Sequence, residues 1–478
     1  MNRSALRSAA AAALLATAAV VSAQTAAPPA APASTLTPIA PLVPPEIAAL
    51  RDAALDHDQY AWDIVEGLTT EVGQRLAGTE AEARARAWAV RKLTSLGFAN
   101  VRVESFAMPV WSRGTESAEI VAPFPQKLVV AALGNSASTG PAGVIGQIVA
   151  FDSVDALRRA PDAAVRGRIV FVDHRMMPTQ DGSSYGQFGS PRRQGPTVAS
   201  LKGALAIVVR SIGTDHHRNP HAGVQTFSDG ASPIPAGALT VPDAEQLARI
   251  LRRGQPVTMH LTLVSQVRQD GQSGNVIAEV PGRDPSLPPL LVGGHLDSWD
   301  LGTGAIDDGA GVAITTAAAK RIMDAGRPLR TIRVVWFGAE EVGLFGGFDY
   351  QKRHGKELHY AVGESDFGSD RVWRVNSKLG ADRKAEAELL GAALAPIGIE
   401  TGAFDEADGS DIGPLIAAGM PAVAMSQDGT HYFDLHHTPD DTLDKIDPAQ
   451  LRHNVAAWTT MLAVLSGGIT EPKRPSRR

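Results

Sequence analysis

The chain of 478 residues contains no cysteine. No disulfide can therefore stabilise it, and no thiolate can act as a nucleophile or as a metal ligand. Any catalytic or metal-binding chemistry must use histidine, carboxylate, hydroxyl or basic side chains. The cysteine-dependent classes of enzyme and metal site are excluded before any motif is considered.

A strong excess of charge of one sign is also missing. The formal net charge is −6, and charged residues make up 20% of the chain. This balance does not indicate nucleic acid or an anionic membrane as the main partner. After the N-terminal leader, no apolar run is long enough to span a bilayer. Hydrophobic residues amount to 44%, a globular composition, and the length predicts two or three domains.

The first residues predict export. Residues 1–23 combine a basic start, an alanine-rich apolar run and small residues before the expected cleavage point, which is the pattern of a signal peptide. Residues 24–45 are rich in proline and alanine and are expected to form an extended linker. We therefore expect a periplasmic or extracellular protein. The basic residues 468–478 are expected to be a solvated tail.

Three segments follow the linker. Residues 46–117, the N-terminal segment, show helical periodicity and then strand-like alternation. Residues 118–268, the middle segment, contain short apolar runs separated by turn residues, which predicts a strand-rich insertion. Residues 269–467, the C-terminal segment, alternate predicted strands and helices. We expect the outer two segments to form one α/β domain, a doubly wound mixed sheet with helices on both faces.

Imidazole and carboxylate groups recur directly after the predicted strands of the C-terminal segment. They are, in order, His295 and Asp297, then Glu340 and Glu341, then Asp366, and finally the two histidines of HHTPDDT. In open α/β sheets the functional groups lie at the carboxyl ends of the strands. Like charges gathered at such a place need a cation to offset their repulsion. The pattern therefore predicts a metal centre.

The ligand types indicate zinc. Imidazole and carboxylate without thiolate suit zinc, with manganese, cobalt or another divalent ion as alternatives. Five ligands are too many for one catalytic zinc that keeps an open position, but they suit two ions that share a carboxylate. We therefore expect two Zn²⁺ per chain, whose positive charge lowers the pKa of a water between them.

The motifs HLDSWD, GAIDDGAG, WFGAEEVGLFG, ESDFG and HHTPDDT together resemble the co-catalytic metallopeptidases of family M28, clan MH, and among them the carboxypeptidase Q group. GQRLAGTEAE, RNPHAG, IPAGALTVPDAE and GSDIGPL extend this resemblance over residues 46–467. The resemblance implies that the middle segment is a protease-associated (PA) domain. It also implies a homodimer.

The resemblance further implies five metal ligands and one base. The ligands fall into two sets with a shared member: His295 and Asp366 for one ion, Glu341 and His437 for the other, and Asp307 for both. Glu340 would be the general base. Asp297 would orient His295 through its second ring nitrogen. The peptide bond between Asp307 and Asp308 is expected to be cis.

Some assignments stay open in the sequence. His436 is the alternative to His437 as a ligand. Substrate contacts are expected from two groups of residues: Tyr432 and His431 near the last strand, and the middle-segment arginines Arg218, Arg210, Arg192 and Arg193, of which we select the first two. An arginine there would bind a substrate carboxylate through two parallel hydrogen bonds.

The expected function is hydrolysis of small peptides, with a dipeptidase or carboxypeptidase outcome. An aminopeptidase is the alternative, because the metal residues are shared across the whole family. A glutaminyl-cyclase-like acyltransferase with one zinc and a non-catalytic, receptor-like protein are further alternatives. Whether the pocket binds the carboxylate or the amine of the substrate distinguishes the first two.

Overall fold

A computed structural model describes residues 41–228 and 230–470 of the chain. The predicted signal peptide and most of the predicted linker and tail lie outside the described residues. Among the described residues, none of the helices combines the length and the hydropathy that crossing a bilayer requires.

The strands form one large mixed sheet and one small ribbon. They are β1 (Ala99–Ala122), β2 (Gln126–Leu128), β3 (Val130–Ala132), β4 (Val144–Phe151), β5 (Ile169–Val172), β6 (Ala206–Arg210), β7 (Ala236–Leu239), β8 (Thr258–Val280), β9 (Leu290–His295), β10 (Arg327–Pro328), β11 (Ile332–Phe337), β12 (Ala361–Glu364), β13 (Val372–Lys378), β14 (Glu400–Thr401), β15 (Ala422–Gln427) and β16 (Ile469–Thr470). The main path of the large sheet runs β14-β13-β15-β12-β9-β11-β8-β4-β5-β6-β7-β3, and β1 pairs with β8 beside it. The ribbon is β10 with β16.

Helices connect the strands and cover both faces of the sheet. They are α1 (Pro45–His57), α2 (Tyr60–Glu71), α3 (Glu80–Ser95), α4 (Val154–Arg159), α5 (Asp162–Val165), α6 (Ser183–Phe188), α7 (Ser190–Arg193), α8 (Gly195–Leu201), α9 (Val241–Leu251), α10 (Ala310–Ala325), α11 (Phe345–His354), α12 (Lys384–Leu394), α13 (Gly413–Ala417), α14 (Tyr432–Leu435) and α15 (Pro448–Leu465). Helices α1, α2, α10 and α15 share a core with one face of β9 and β11. Helices α11 and α13 pack on the opposite face. The predicted fold class is confirmed.

Local sequence signals set several of these boundaries. The Thr79 hydroxyl accepts a hydrogen bond from the Glu82 amide at the start of α3. The Asp447 carboxylate caps α15 through the Ala449 amide at 2.7 Å, and Pro448 takes the first helical position. Both residue types favour a helix start, because side-chain oxygens satisfy the free amides of a first turn. Gly326 ends α10.

The largest departure from the sequence prediction is the pair β1 and β8. The sequence predicted separate short strands here, whereas β1 has 24 residues and β8 has 23. They pair from Ala99 opposite Glu279 to Ala122 opposite Thr258. The register shifts at several points along the pair, and such bulges interrupt the alternation that marks a continuous strand in sequence. The predicted limits of the middle segment, at residues 118 and 268, therefore fall inside two continuous strands.

The middle segment builds its own part of the sheet from β4, β5, β6 and β7, which run parallel, with β3 antiparallel at the edge. The sequence VPDAEQLARILRRG, residues 241–254, has a helical pattern, and its first eleven residues form α9. The sequence SYGQFGSPRRQG, residues 184–195, has the composition of a polar loop, but it lies in α6, α7 and the start of α8. Pro191 and Pro196 lie in the first turns of α7 and α8, where a missing amide costs nothing.

Candidate metal centre

The predicted ligands lie at the carboxyl ends of four neighbouring parallel strands. Strands β15, β12, β9 and β11 are adjacent in that order. His295 is the last residue of β9, and Asp366 lies two residues after β12. Glu341 follows β11, and His437 follows β15 through the short helix α14. Residues far apart in sequence thus meet at one edge of the sheet, as the sequence predicted.

Asp307 stands between two histidine–carboxylate pairs. Its Oδ1 is 3.0 Å from His295 Nε2, which in turn is 3.3 Å from Asp366 Oδ1. Its Oδ2 is 3.2 Å from His437 Nε2, which is 2.9 Å from Glu341 Oε2. The two oxygens of one carboxylate therefore face two different sets of ligand atoms. The five residues that the resemblance implies as ligands therefore lie together around Asp307.

The unpaired carboxylate oxygens of this cluster favour the binding of cations. Asp307 Oδ2 and Glu341 Oε1 are buried and receive no hydrogen bond from any residue that the structure describes. Burial opposes the charged form of His295, but the neighbouring carboxylates of Asp366 and Asp307 outweigh it and raise the pKa of His295 well above its usual range. A divalent ion would supply positive charge beside the same carboxylates, and its binding would displace a proton from the imidazole. The donor set and the unpaired oxygens fit divalent ions.

Asp297 contacts the second ring nitrogen of His295, the nitrogen through which it was expected to orient that ring. The contact is made by its main chain. In the structure His295 Nδ1 lies 2.9 Å from the main-chain carbonyl of Asp297, and the carboxylate is 3.7 Å away. That carboxylate instead accepts hydrogen bonds from the amides of Glu340 (3.0 Å) and Glu341 (3.3 Å). Asp297 therefore positions the two glutamates, because the turn after β11 offers it two free amides.

Two further aspartates hold the loop of Asp307. The Asp307–Asp308 peptide bond is cis, as expected. Asp308 accepts hydrogen bonds from the amides of His295 (2.9 Å) and Gly311 (3.0 Å), which ties the loop to β9. Asp441 accepts from the amides of Ile306 (2.6 Å) and Asp307 (3.3 Å). Burial and the charge of Asp307 raise the pKa of Asp441 to about 7.

Arg75 also stabilises the loop that carries Asp307. It is fully buried and donates to the carbonyls of Leu296, Thr303 (2.6 Å) and Gly304 (2.7 Å). Burial lowers the pKa of Arg75, and the charges of Asp441 and Asp297 oppose that shift. A buried guanidinium with several carbonyl acceptors can fix irregular backbone. The guanidinium of Arg75 also brings a positive charge close to the carboxylates of Asp441 and Asp297.

His437 and His436 both reach the centre, and their surroundings distinguish them. Their rings stack with centroids 3.5 Å apart. His437 Nε2 contacts both Glu341 and Asp307, whereas His436 Nε2 is 3.5 Å from Asp307 alone. Burial and the neighbouring ring of His437 lower the pKa of His436 well below its usual range. The geometry agrees with His437 as the partner of Glu341, and His436 stays in reach of the same oxygen of Asp307.

The middle segment holds this pair of histidines. The Ala222 carbonyl is 3.3 Å from His437 Nδ1, and the Ala222 amide donates to the His437 carbonyl at 2.9 Å. His221 Nδ1 lies 2.8 Å from the His436 carbonyl, while its Nε2 lies 2.7 Å from Asp215. An acceptor on the far ring nitrogen fixes the tautomer that offers Nε2 to a metal. His221 thus contacts the backbone of the centre.

The centre opens into a cavity of about 450 Å³. Cavities of roughly 300–1,000 Å³ commonly bind small molecules. Its lining includes the carboxylates of Asp307, Glu340, Glu341 and Asp366 together with Tyr185, Arg192, Tyr432 and both histidines. Burial raises the pKa of Glu340 well above its usual range; His295 opposes this, and the charges of Asp366 and Glu341 add to it. Glu340 is therefore a cavity-facing carboxylate with raised proton affinity.

The predicted substrate residues divide into those that reach the cavity and those that do not. Tyr432 lines it, with its ring 4.5 Å from that of Phe367. His431 is 76% exposed and contacts Asp434, away from this cavity. Arg218 pairs with Asp243 at 3.0 Å, and Arg210 pairs with Asp173 at 2.6 Å. The selection of Arg218 and Arg210 is wrong on this geometry, because each is neutralised elsewhere in the middle segment.

Sequence reasoning gave no role to several residues that shape the site. Arg75, in GQRLAG, and Asp441, in TPDD, lie in motifs that the resemblance included without a role. Ser410 in GSDIGPL donates to Asp366 at 2.9 Å. Tyr185 was given no role, and Arg192 was named as a candidate substrate contact but was not selected. The motifs were the available signal, whereas the position of Arg192 follows only from the three short helices.

Comparisons with known proteins agree with this picture. The model of peptidase family M28 matches residues 275–462. Human carboxypeptidase Q is 34% identical over 402 residues, which cover 84% of each chain. The structure of a peptidase M28 precursor from Shewanella amazonensis is similar with a TM-score of 0.86 and 43% identity, covering 91% of this chain and 99% of that one. A zinc aminopeptidase from Bacillus subtilis, at 18% identity and a TM-score of 0.62, covering 85% of this chain and 94% of that one, shares the fold.

Proposed function

The chain belongs to peptidase family M28 and is a peptide-bond hydrolase, and from this premise we propose that it is a dinuclear zinc peptidase acting on small peptides. The proposal rests above all on Asp307. Its Oδ1 faces His295 and its Oδ2 faces His437. One carboxylate placed between two ligand sets is the arrangement that a pair of ions requires.

The residues that would hold the ions divide as the sequence resemblance implies. His295 and Asp366 would hold one ion, Glu341 and His437 the other, and Asp307 both. Two zinc ions so held would supply Lewis acidity and would lower the pKa of a bound water. The hydrogen bonds from Ser410 to Asp366 and between His295 and the Asp297 carbonyl keep the ligand side chains oriented.

Glu340 is the proposed general base. It lines the cavity beside Glu341, and Asp297 holds the amides of both residues. The Glu340 carboxylate would take a proton from the attacking water and return it to the nitrogen of the leaving amine. Burial raises the pKa of Glu340, which favours its protonated form and therefore its second role as a proton donor.

The proposed outcome is that of a dipeptidase or carboxypeptidase. The support is the name of the curated relatives, carboxypeptidase Q, which cover most of this chain. The cavity size is consistent with a small peptide. We also propose that the enzyme acts after export, in the periplasm or outside the cell, on the strength of the leader at residues 1–23.

The testing experiment combines metal analysis with a substrate panel. The mature protein is expected to hold two zinc ions per chain and to cleave free dipeptides in a chelator-sensitive manner. Glu340→Gln should retain both ions while kcat falls by about 10²–10⁴-fold, because only proton transfer is removed. Preferential cleavage of aminoacyl nitroanilides would instead indicate an aminopeptidase. One ion or none, with no cleavage of any substrate, would overturn the hydrolytic dinuclear proposal.

A further inference from the structure

Arg192 is a buried cation that lines the cavity and forms no ion pair with a carboxylate of the described residues. It is 5% exposed and lines the same cavity as Asp307 and Glu340. Its guanidinium contacts the Ala222 carbonyl at 3.2 Å, His437 Nδ1 at 3.3 Å and the Tyr185 hydroxyl. None of these is a carboxylate, and within residues 41–228 and 230–470 its Nε finds no acceptor. An unpaired buried charge is costly, so the arrangement calls for an anionic partner.

The position of the guanidinium is built by its neighbours. Arg192 Cζ lies 5.3 Å from the centre of the Tyr185 ring, a cation–π distance. On another side is Gly223, where a Cβ atom would come within 2.0 Å of Arg192 Nη1. The Tyr185 ring in turn stacks on Phe433 at 4.7 Å. Arg192 is thus held in a slot that only a glycine at position 223 leaves free.

The distance from Arg192 to the metal ligands suits a short substrate. Arg192 contacts Nδ1 of His437, and the opposite nitrogen of that ring, Nε2, contacts Asp307 and Glu341. One imidazole ring therefore separates the guanidinium from the ligand cluster. In an extended peptide, successive residues are about 3.5 Å apart. The C-terminal carboxylate of a dipeptide lies one residue beyond the scissile bond, which is a comparable reach.

We propose that Arg192 binds the C-terminal carboxylate of the substrate and thereby restricts cleavage to the bond next to a free C-terminus. The guanidinium has five N–H donors, and the contacts above use at most three. The remaining donors can bind a carboxylate, with Tyr185 holding the side chain. This inference rests on the proposed function and assigns the carboxylate contact to a residue of the middle segment, α7, rather than to the ligand loops.

The experiment compares Arg192→Gln and Arg192→Lys with Arg193→Gln. Arg193 is the matched control, because it is the next residue of α7, contacts the carbonyls of Tyr185 and Gly186 and lies outside the lining of this cavity. Each protein is assayed on one dipeptide as the free acid and as the C-terminal amide. Metal content is measured in parallel. Binding of the same dipeptide with a reduced scissile amide, as acid and as carboxamide, is measured by calorimetry.

For Arg192→Gln we expect kcat/KM on the free acid to fall about 10- to 100-fold, chiefly through KM, while the amide changes less than about twofold. Arg192→Lys should be intermediate, because an ammonium binds as a point charge. Affinity for the reduced-amide acid should fall in the same ratio, and Arg193→Gln should resemble the wild type.

Equal losses on acid and amide, or a loss of metal, would show that Arg192 only supports His437 and would overturn the inference. Unchanged discrimination by Arg192→Gln would overturn it as well. Both results leave the proposed peptidase intact if the wild type cleaves dipeptides. A wild type that holds no metal and cleaves nothing would instead refute the proposed function itself.

Discussion

The C-terminal segment and the middle segment meet at one cavity and bring opposite charges to it. From the C-terminal segment come the carboxylates of Asp307, Glu340, Glu341 and Asp366, all placed by the ends of parallel strands. From the middle segment come a guanidinium, a phenol and a backbone carbonyl. The comparison shows that the predicted metal ligands all belong to the C-terminal segment, whereas the proposed contact to the substrate carboxylate comes from the middle segment.

The two sets of predicted metal ligands also differ in which segment of the chain positions them. His295 and Asp366 are held within the C-terminal segment, by the Asp297 carbonyl and the Ser410 hydroxyl. His437 is held by Ala222 of the middle segment. Thr214 adds to this contact, because its amide donates to the Phe433 carbonyl at 3.1 Å. A change in the middle segment should therefore reach one metal position and spare the other.

The largest effect is expected from Asp307→Asn, which would break both ligand sets at once. An amide cannot bridge two cations as a carboxylate does, so we expect loss of both ions and a fall in kcat/KM of about 10³-fold or more. Metal analysis and dipeptide assays measure this. Asp300→Asn is the control, because Asp300 lies in the same loop region but pairs with Arg113 at 3.0 Å. Retention of both ions by Asp307→Asn would contradict the shared-ligand assignment.

The next effect distinguishes the two stacked histidines. His437→Ala should leave one ion per chain and lower kcat/KM by about 10²-fold or more, because Glu341 loses its partner ligand. His436→Ala should keep two ions, with a smaller loss. The two side chains are equally buried, each 6% exposed, so the variants create similar cavities. If His436→Ala loses the ion and His437→Ala keeps it, the ligand assignment is reversed.

The two segments also differ in how much of their fold and of their functional residues could be predicted from the sequence. In the C-terminal segment, uninterrupted apolar strands followed by charged residues indicate both the fold and the site, because strand ends converge at one edge of a sheet. In the middle segment the arginines all lie in similar polar stretches. Arg210 and Arg218 find carboxylates, and Arg192 does not. That difference depends on tertiary contacts, so local pattern cannot reveal it.

The contact of Asp297 with the second ring nitrogen of His295 was expected, but the hydrogen bonds that its carboxylate accepts from the amides after β11 were not. The roles of Arg75 and Asp441 depend on the irregular loop around Asp307, whose carbonyls and amides need partners. Sequence motifs mark such residues, and only the folded backbone shows what they bind.

The smallest effect, and the sharpest test of the comparison, is expected from Asp215→Asn in the middle segment. Asp215 acts on His436 and His437 only through His221, so we expect both ions to remain and the affinity for one of them to fall by about tenfold, the low end for residues behind a ligand. Competition with a chelator measures the two affinities separately. Asp243→Asn is the matched control, because Asp243 is also 6% exposed in the middle segment but contacts Arg218 rather than the centre. Equal weakening of both ions, or an equal effect of the two variants, would mean that the middle segment stabilises the site as a whole rather than the position of His437.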